Sequence, residues 1–295
     1  MTYPDFKNTV LSEVTDRYAD LAEVSLTQVK KNNGIERCGL VIHEDSYGLS
    51  PTIYLEDFYE QLCGGLSYDE VLARILDTYE QYKRPIGTIA DDFSNFSWVK
   101  EHLVFRLLSQ KDNEEMLKDL PFVPFLDLAL CFAVRVRVKS GVYGSALVHK
   151  CHADAWNTDV DGLFSYTKMS SPALLPAVCR RLDDVISEAY GDMCLPMPGM
   201  DDFPVYILTN KEKSYGASVI CYQGVVKSLA EKLGSDLYLI PSSIHEFIAV
   251  PADMSLDIKG LDSTIHYVNE NSIMPPEILS DHTYIYHRDA DRITC

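Results

Sequence analysis

The chain has 295 residues, 46% hydrophobic and 24% charged, which is the balance of a globular protein with a sizeable core and excludes global disorder. Its 44 Asp and Glu against 26 Lys and Arg give a formal net charge of −18. Such a surface repels phosphate backbones and anionic lipid, so no direct nucleic-acid binding is expected.

In chain order, Phe6, Val10, Val14, Tyr18 and Leu21 recur at helical spacing and predict an amphipathic first helix. Two strands, 24–29 and 39–43, flank Lys30-Lys31-Asn32-Asn33-Gly34, and Asn-Gly is the strongest short hairpin signal. Residues 52–55 read as a short extended run, and 56–63 as a helix stopped by Gly64-Gly65. Ser67 with Glu70 three residues on is a capping box for a helix reaching about Tyr82. A loop is expected over 85–95, a strand over 102–108 and a helix over 112–120. The run 125–138 is longer than a typical strand, and its tail, Val134-Arg135-Val136-Arg137-Val138, alternates with strand periodicity, with 142–149 pairing back across Ser140-Gly141.

Helices are expected at 151–157, 160–169 and 172–190, the last burying Leu174, Val178, Leu182, Val185 and Ile186. Residues 191–203 hold Gly191, Pro196, Pro198 and Gly199 and form the best linker candidate. It separates an N-terminal α+β region, 1–190, from a C-terminal α+β region, 200–295, or else the two pack as one unit. Beyond it come strands at 205–208 and 217–221, a helix at 225–233, strands at 237–240 and 247–250, a helix at 256–271 and a strand at 283–287. Hairpins and helices are mixed without regular alternation. The expected class is therefore α+β, mostly antiparallel sheet with packed helices, and not a doubly wound parallel sheet.

No run approaches the roughly 18 apolar residues of a membrane span. The longest, 122–138, is broken by Pro124, Asp127, Arg135 and Arg137. Residues 1–10 are polar and do not read as a signal peptide, so a cytoplasmic location is expected. The eight cysteines are scattered with no C-x-x-C pair, which predicts reduced thiols that mostly fill apolar positions.

One segment concentrates reactive groups. Pro241-Ser242-Ser243-Ile244-His245-Glu246 puts two hydroxyls, an imidazole and a carboxylate on one strand-to-strand turn. A hydrolase would use Ser242 or Ser243 as nucleophile and His245 as base, oriented by an acid such as Asp253 or assisted by Glu246. A structural turn would use the hydroxyls to satisfy turn amides and His245 to cap a strand end. There is no G-x-S-x-G elbow. The zinc-protease spacing fails, because Ala249 stands where the second histidine is required. His149, Cys151 and His152 are the densest metal-ligand types, but the group has no second half, and no metal is expected there. Phosphate cradles are missing from the sequence, and no cofactor is expected. These observations favour a soluble intracellular binding or accessory protein with a protein partner over an enzyme. The alternatives are a hydrolase at the 241–246 turn and an acidic mimic of nucleic acid.

Lys31-Asn32-Asn33-Gly34, Ser50-Pro51-Thr52-Ile53-Tyr54-Leu55, Thr209-Asn210, Gly216-Ala217, the 241–246 segment and Leu279-Ser280-Asp281-His282 occur in an order that resembles a family of unknown function, domain-of-unknown-function family 5688 of anaerobic gut bacteria. The resemblance spans nearly the whole chain and implies a cytoplasmic bacterial protein, with no activity to carry over. The chain departs from it at Ser170-Ser171, where such proteins have Asn-Thr near a helix end.

Overall fold

The computed structural model describes residues 1–44, 51–83, 93–139, 142–190, 204–254 and 256–295. They form two compact units, one of residues 1–99 with 135–145, the other of 100–134 with 146–295.

The first unit opens on helix α1 (Tyr3–Tyr18), capped by Thr2 with Asp5 completing a capping box. Phe6, Val10 and Val14, four residues apart, are its buried face. Strands β1 (Glu23–Lys30) and β2 (Glu36–His43) pair antiparallel. Asn33 and Gly34 turn the chain between them with consecutive positive φ of 59° and 68°, the conformation that gives Asn-Gly its hairpin preference. β3 (Thr52–Tyr54) joins the free edge of β2. Helices α2 (Leu55–Cys63) and α3 (Tyr68–Tyr82) follow, the latter opened by the Ser67–Glu70 box. Leu40, Ile42, Leu55, Ile75 and Tyr79 meet the α1 stripe in one core. Glu56 sits at its margin. Burial alone would raise its carboxyl, but donors from Tyr3 and the Cys38 amide, with the Arg37 cation, hold it below its ordinary value.

Helix α4 (Phe96–His102) begins among the residues of the first unit and leads into β4 (Leu103–Ser109) of the second. The helix expected over 112–120 is shorter, a 3-10 turn Lys111–Asn113 and one turn α5 (Glu114–Leu117). The Asn113 amide donates back to the Ser109 carbonyl at 2.9 Å, a local bond that competes with helix. The run 125–138 takes in the end of β5 (Phe122–Phe125), a turn at Leu126 with φ 57° and β6 (Leu128–Lys139), which holds the alternating tail. No Gly or Asn advertises that turn. β7 (Val142–Leu147) pairs with β6 as expected; Ser140-Gly141 lie outside the described residues, as do most of the expected 85–95 loop and all of 191–203. Like α4, strands β6 and β7 have residues in both units.

Helices α6 (Lys150–Ala155) and α7 (Val160–Leu174) come next, with Pro172 inside α7. The helix expected over 172–190 is instead the end of α7, strand β8 (Ala177–Arg181) and helix α8 (Leu182–Tyr190). Leu174, Val178 and Leu182 are four apart, and a step of four fits a strand's period of two as well as a helix. β9 (Tyr206–Asn210) pairs with β8. The expected strand at 217–221 is a 3-10 helix, Gly216–Cys221, buried on every side from Gly216 to Ile220, so it shows no diagnostic periodicity. Then follow α9 (Val225–Leu233), β10 (Leu237–Ser243), β11 (Glu246–Pro251), α10 (Ile258–Asn271), β12 (Tyr284–His287) and the unanticipated β13 (Arg292–Thr294). One sheet runs β13-β12-β10-β11-β9-β8 and another β4-β6-β5, and the registered pairs are antiparallel. The protein is α+β.

No helix among the described residues is long and apolar enough to cross a membrane. Cys38, Cys63, Cys131, Cys151, Cys179, Cys221 and Cys295 are free thiols, and Cys194 lies outside the described residues. Only Cys38 and Cys131 of these are buried, so the thiols are less of a core feature than their scatter predicts.

Candidate functional site

The 241–246 turn is the tip of the β10–β11 hairpin. Pro241 pairs with Phe247 and Ser243 with Glu246, so Ser242 is an extra residue that bulges from the ladder. Its hydroxyl, re-aimed by the bulge, donates to Glu246 Oε1 at 3.2 Å. Ser243 Oγ accepts the His245 N–H at 3.0 Å, which satisfies a turn amide. The tip is also pinned from outside. Thr209 Oγ1 donates to the His245 carbonyl at 2.8 Å, the Ala217 N–H donates to the Ile244 carbonyl at 3.2 Å, and the Ile244 N–H donates to the Glu277 carbonyl at 2.8 Å. Gly216 packs so closely that a Cβ there would stand 2.6 Å from the Asn210 nitrogen and 2.6 Å from the His245 carbonyl oxygen.

His245 is held through its Nδ1 nitrogen. Nδ1 accepts the Tyr215 N–H at 2.9 Å, presented by a left-handed Tyr215 with φ 50°. Nδ1 therefore carries no proton in the neutral ring, and Nε2 carries it, facing Glu277 Oε1 at 3.6 Å. An imidazole so engaged has no lone pair with which to take a proton from Ser242 or Ser243. The Tyr215 ring lies under the Arg106 guanidinium, 3.1 Å from centroid to carbon. Burial pushes Arg106 down to about 10, against the raising effect of Tyr215 and Glu212. Thr209, Tyr215 and Glu277 were not legible as partners of His245, because they come from separate elements. Three of the segments that carry the family resemblance, Thr209-Asn210, Gly216-Ala217 and 241–246, meet at this tip.

At the other expected cluster, the His149 N–H donates to His152 Nδ1 at 3.1 Å, and His152 stacks on Trp156. Burial and the neighbouring His149 push His152 below the usual histidine value. Cys151 is exposed on the first turn of α6. Ser170 and Ser171 also hold backbone together: Ser170 Oγ donates to the Leu103 carbonyl at 2.7 Å, and Ser171 Oγ accepts the Phe105 N–H at 3.1 Å while bonding Tyr222 OH at 2.8 Å.

A cavity of about 430 Å³ opens in the second unit, lined by Asp112, Asp127, Glu270 and Asp281 together with Lys111, Asn269, Ile273 and Ile278. The four residues expected at the turn are not among its lining. Beside it lie Asp127, His282 and Cys295, one ligand atom from each, all within 4.8 Å of one another. His282 Nδ1 is 3.2 Å from Asp281 Oδ1, and this bond, with the charge of Lys111, holds the Asp281 carboxyl below its ordinary value. Tyr284 OH donates to Asp127 Oδ1 at 2.8 Å. Sequence spacing offers no sign of this group, whose members are far apart in the chain.

The three sheets, with their mixture of hairpins and helices, define an α+β protein. The chain belongs to the family of unknown function DUF5688, whose model matches residues 3–288. No curated protein and no solved structure matches it.

Proposed function

We propose that this is a binding or accessory protein and that the 241–246 turn is framework, not a hydrolase centre. The observation that carries this reading is the Tyr215 N–H on His245 Nδ1 at 2.9 Å. A general base must reach the nucleophile's proton with a free lone pair, and this bond occupies it. The cavity offers the alternative: its volume of about 430 Å³ falls in the range of small-molecule sites. Four carboxylates on its walls face one lysine, and Ile273 and Ile278 supply apolar surface. The ligand class that fits is a small molecule with a cationic or donor-rich head and a short apolar part. An acidic chain with exposed free thiols suits a reducing cytoplasm.

The test is a thermal-shift panel of small amines and guanidines against carboxylates and phosphates. A cationic ligand at a hundred times its Kd should add about 2.7 kcal/mol to stability, and Glu270→Gln with Asp112→Asn should weaken it. Hydrolysis of an ester, peptide or nucleotide that His245→Ala abolishes would overturn the reading.

A further inference from the structure

We propose that Asp127, His282 and Cys295 form a site for a divalent transition metal, with zinc the best fit, beside the second unit's cavity. The proposal goes beyond the binding reading above and does not depend on it.

Three segments converge to make the site. Asp127 comes from the β5–β6 turn, His282 from just before β12, and Cys295 from just after β13. The β12–β13 register pairs Ile285 with Thr294, so one further step sets Cys295 opposite Tyr284, two residues from His282. All three ligand atoms lie within 4.8 Å of one another, and His282 Nε2 stands 3.8 Å from Asp127 Oδ1. Around a tetrahedral zinc with bonds of about 2.0–2.3 Å, neighbouring ligand atoms stand about 3.3–3.8 Å apart. The 3.8 Å between His282 Nε2 and Asp127 Oδ1 already lies at that spacing.

The state of His282 is the second observation. Its Nδ1 lies 3.2 Å from both Asp281 Oδ1 and Ser280 Oγ. A carboxylate only accepts, so the neutral ring carries its proton on Nδ1 and its lone pair on Nε2. That Nε2 is buried and has no hydrogen-bond partner. A bare lone pair shielded from water and set toward a carboxylate is unfavourable unless a proton or a metal cation lies between them. The Asp281–His282 pair is the carboxylate–histidine arrangement that orients a metal-binding ring, and the Tyr284 hydroxyl fixes Asp127 in the same way. One nitrogen, one oxygen and one sulfur do not suit Mg²⁺ or Ca²⁺, which take oxygen ligands, and they do suit zinc. Three protein ligands leave a fourth position for water or a ligand. Binding converts the Cys295 thiol to a thiolate and releases its proton to solvent. Asp127 and His282 each lend a lone pair, and no electron is transferred.

The test uses the full chain stripped with a chelator and titrated with Zn²⁺ by calorimetry and with Co²⁺ by absorbance. The expected result is one metal per chain and a near-ultraviolet thiolate-to-cobalt band. Cys295→Ser should lose that band. His282→Ala should lose most of the affinity. Asp281→Asn should keep the band and weaken binding by about 10–100-fold. His149→Ala with His152→Ala should change nothing, and circular dichroism should show each variant folded. Absence of zinc uptake at millimolar metal overturns the site. So does uptake that survives both His282→Ala and Cys295→Ser, or that fails in the His149 and His152 variant. None of these outcomes bears on the amine panel, so this proposal and the ligand reading fail separately.

Discussion

The 241–246 hairpin tip and the Asp127–His282–Cys295 group carry the same kinds of side chain and differ in what the fold leaves unused. At the tip, both serine hydroxyls bond within the turn, and the His245 acceptor nitrogen is taken by a backbone amide. At the group beside the cavity, the histidine is anchored through Nδ1 and its Nε2 has no hydrogen-bond partner. A dense local cluster of polar residues can therefore be the less reactive of two, because a turn consumes the bonding capacity of the residues that form it.

The comparison breaks or sharpens at four places, taken from the largest expected effect. Gly216→Ala forces a methyl against backbone atoms of two segments, and should cost about 3 kcal/mol in urea denaturation, the upper part of the overpacking range. Its zinc uptake should match the parent's at temperatures where it is folded. A cost near zero would show that the tip is loose and not framework.

Ser171→Ala removes the acceptor of the Phe105 N–H and the partner of Tyr222 OH, both inside the protein. About 2 kcal/mol should be lost, the cost of leaving buried polar groups unsatisfied. Ser171→Thr, which keeps the hydroxyl, should recover part of it if the pocket admits a methyl.

His245→Ala strips the Tyr215 N–H of its acceptor at a half-exposed place. It should cost about 1 kcal/mol and leave zinc affinity unchanged. Asp281→Asn should show the opposite pattern, with a stability change within about 0.5 kcal/mol for an exposed side chain and weakened zinc binding. Loss of zinc uptake in the His245 variant would erase the distinction between the two regions.

The smallest effect belongs to Glu56 in the first unit, a carboxylate that resembles the tip in being engaged. Its folded pKa is lowered from 4.5. The stabilisation is therefore complete above the unfolded value and is lost as pH falls through the lowered folded value. Acid titration of stability should show a loss on the order of 1 kcal/mol at most for such a half-buried group, and Glu56→Gln should remove that part of the pH dependence. A pH profile unchanged in the variant would show that Tyr3, Cys38 and Arg37 do not depend on the charge.

By itself the sequence determined what is local. The α1 stripe, the Asn33-Gly34 hairpin, the Ser67–Glu70 cap, helix 225–233 and the β10–β11 hairpin depend on residues a few positions apart, and these are visible as period and turn chemistry. So is the α+β class, which follows from the mixture. It did not determine the segments whose signals fit two structures. Residues 217–220 of the 217–221 run are buried on every side, and the Leu174–Val178–Leu182 spacing serves strand and helix alike. Only the tertiary structure decided the chemistry. The proton on His245 is placed by Tyr215, thirty residues away in the chain. The bare nitrogen of His282 faces the carboxylate of Asp127, which comes from a distant turn of the chain. Reactivity depends on which lone pairs remain after every long-range hydrogen bond has formed. That remainder is a property of the folded whole, and no short window of sequence contains it.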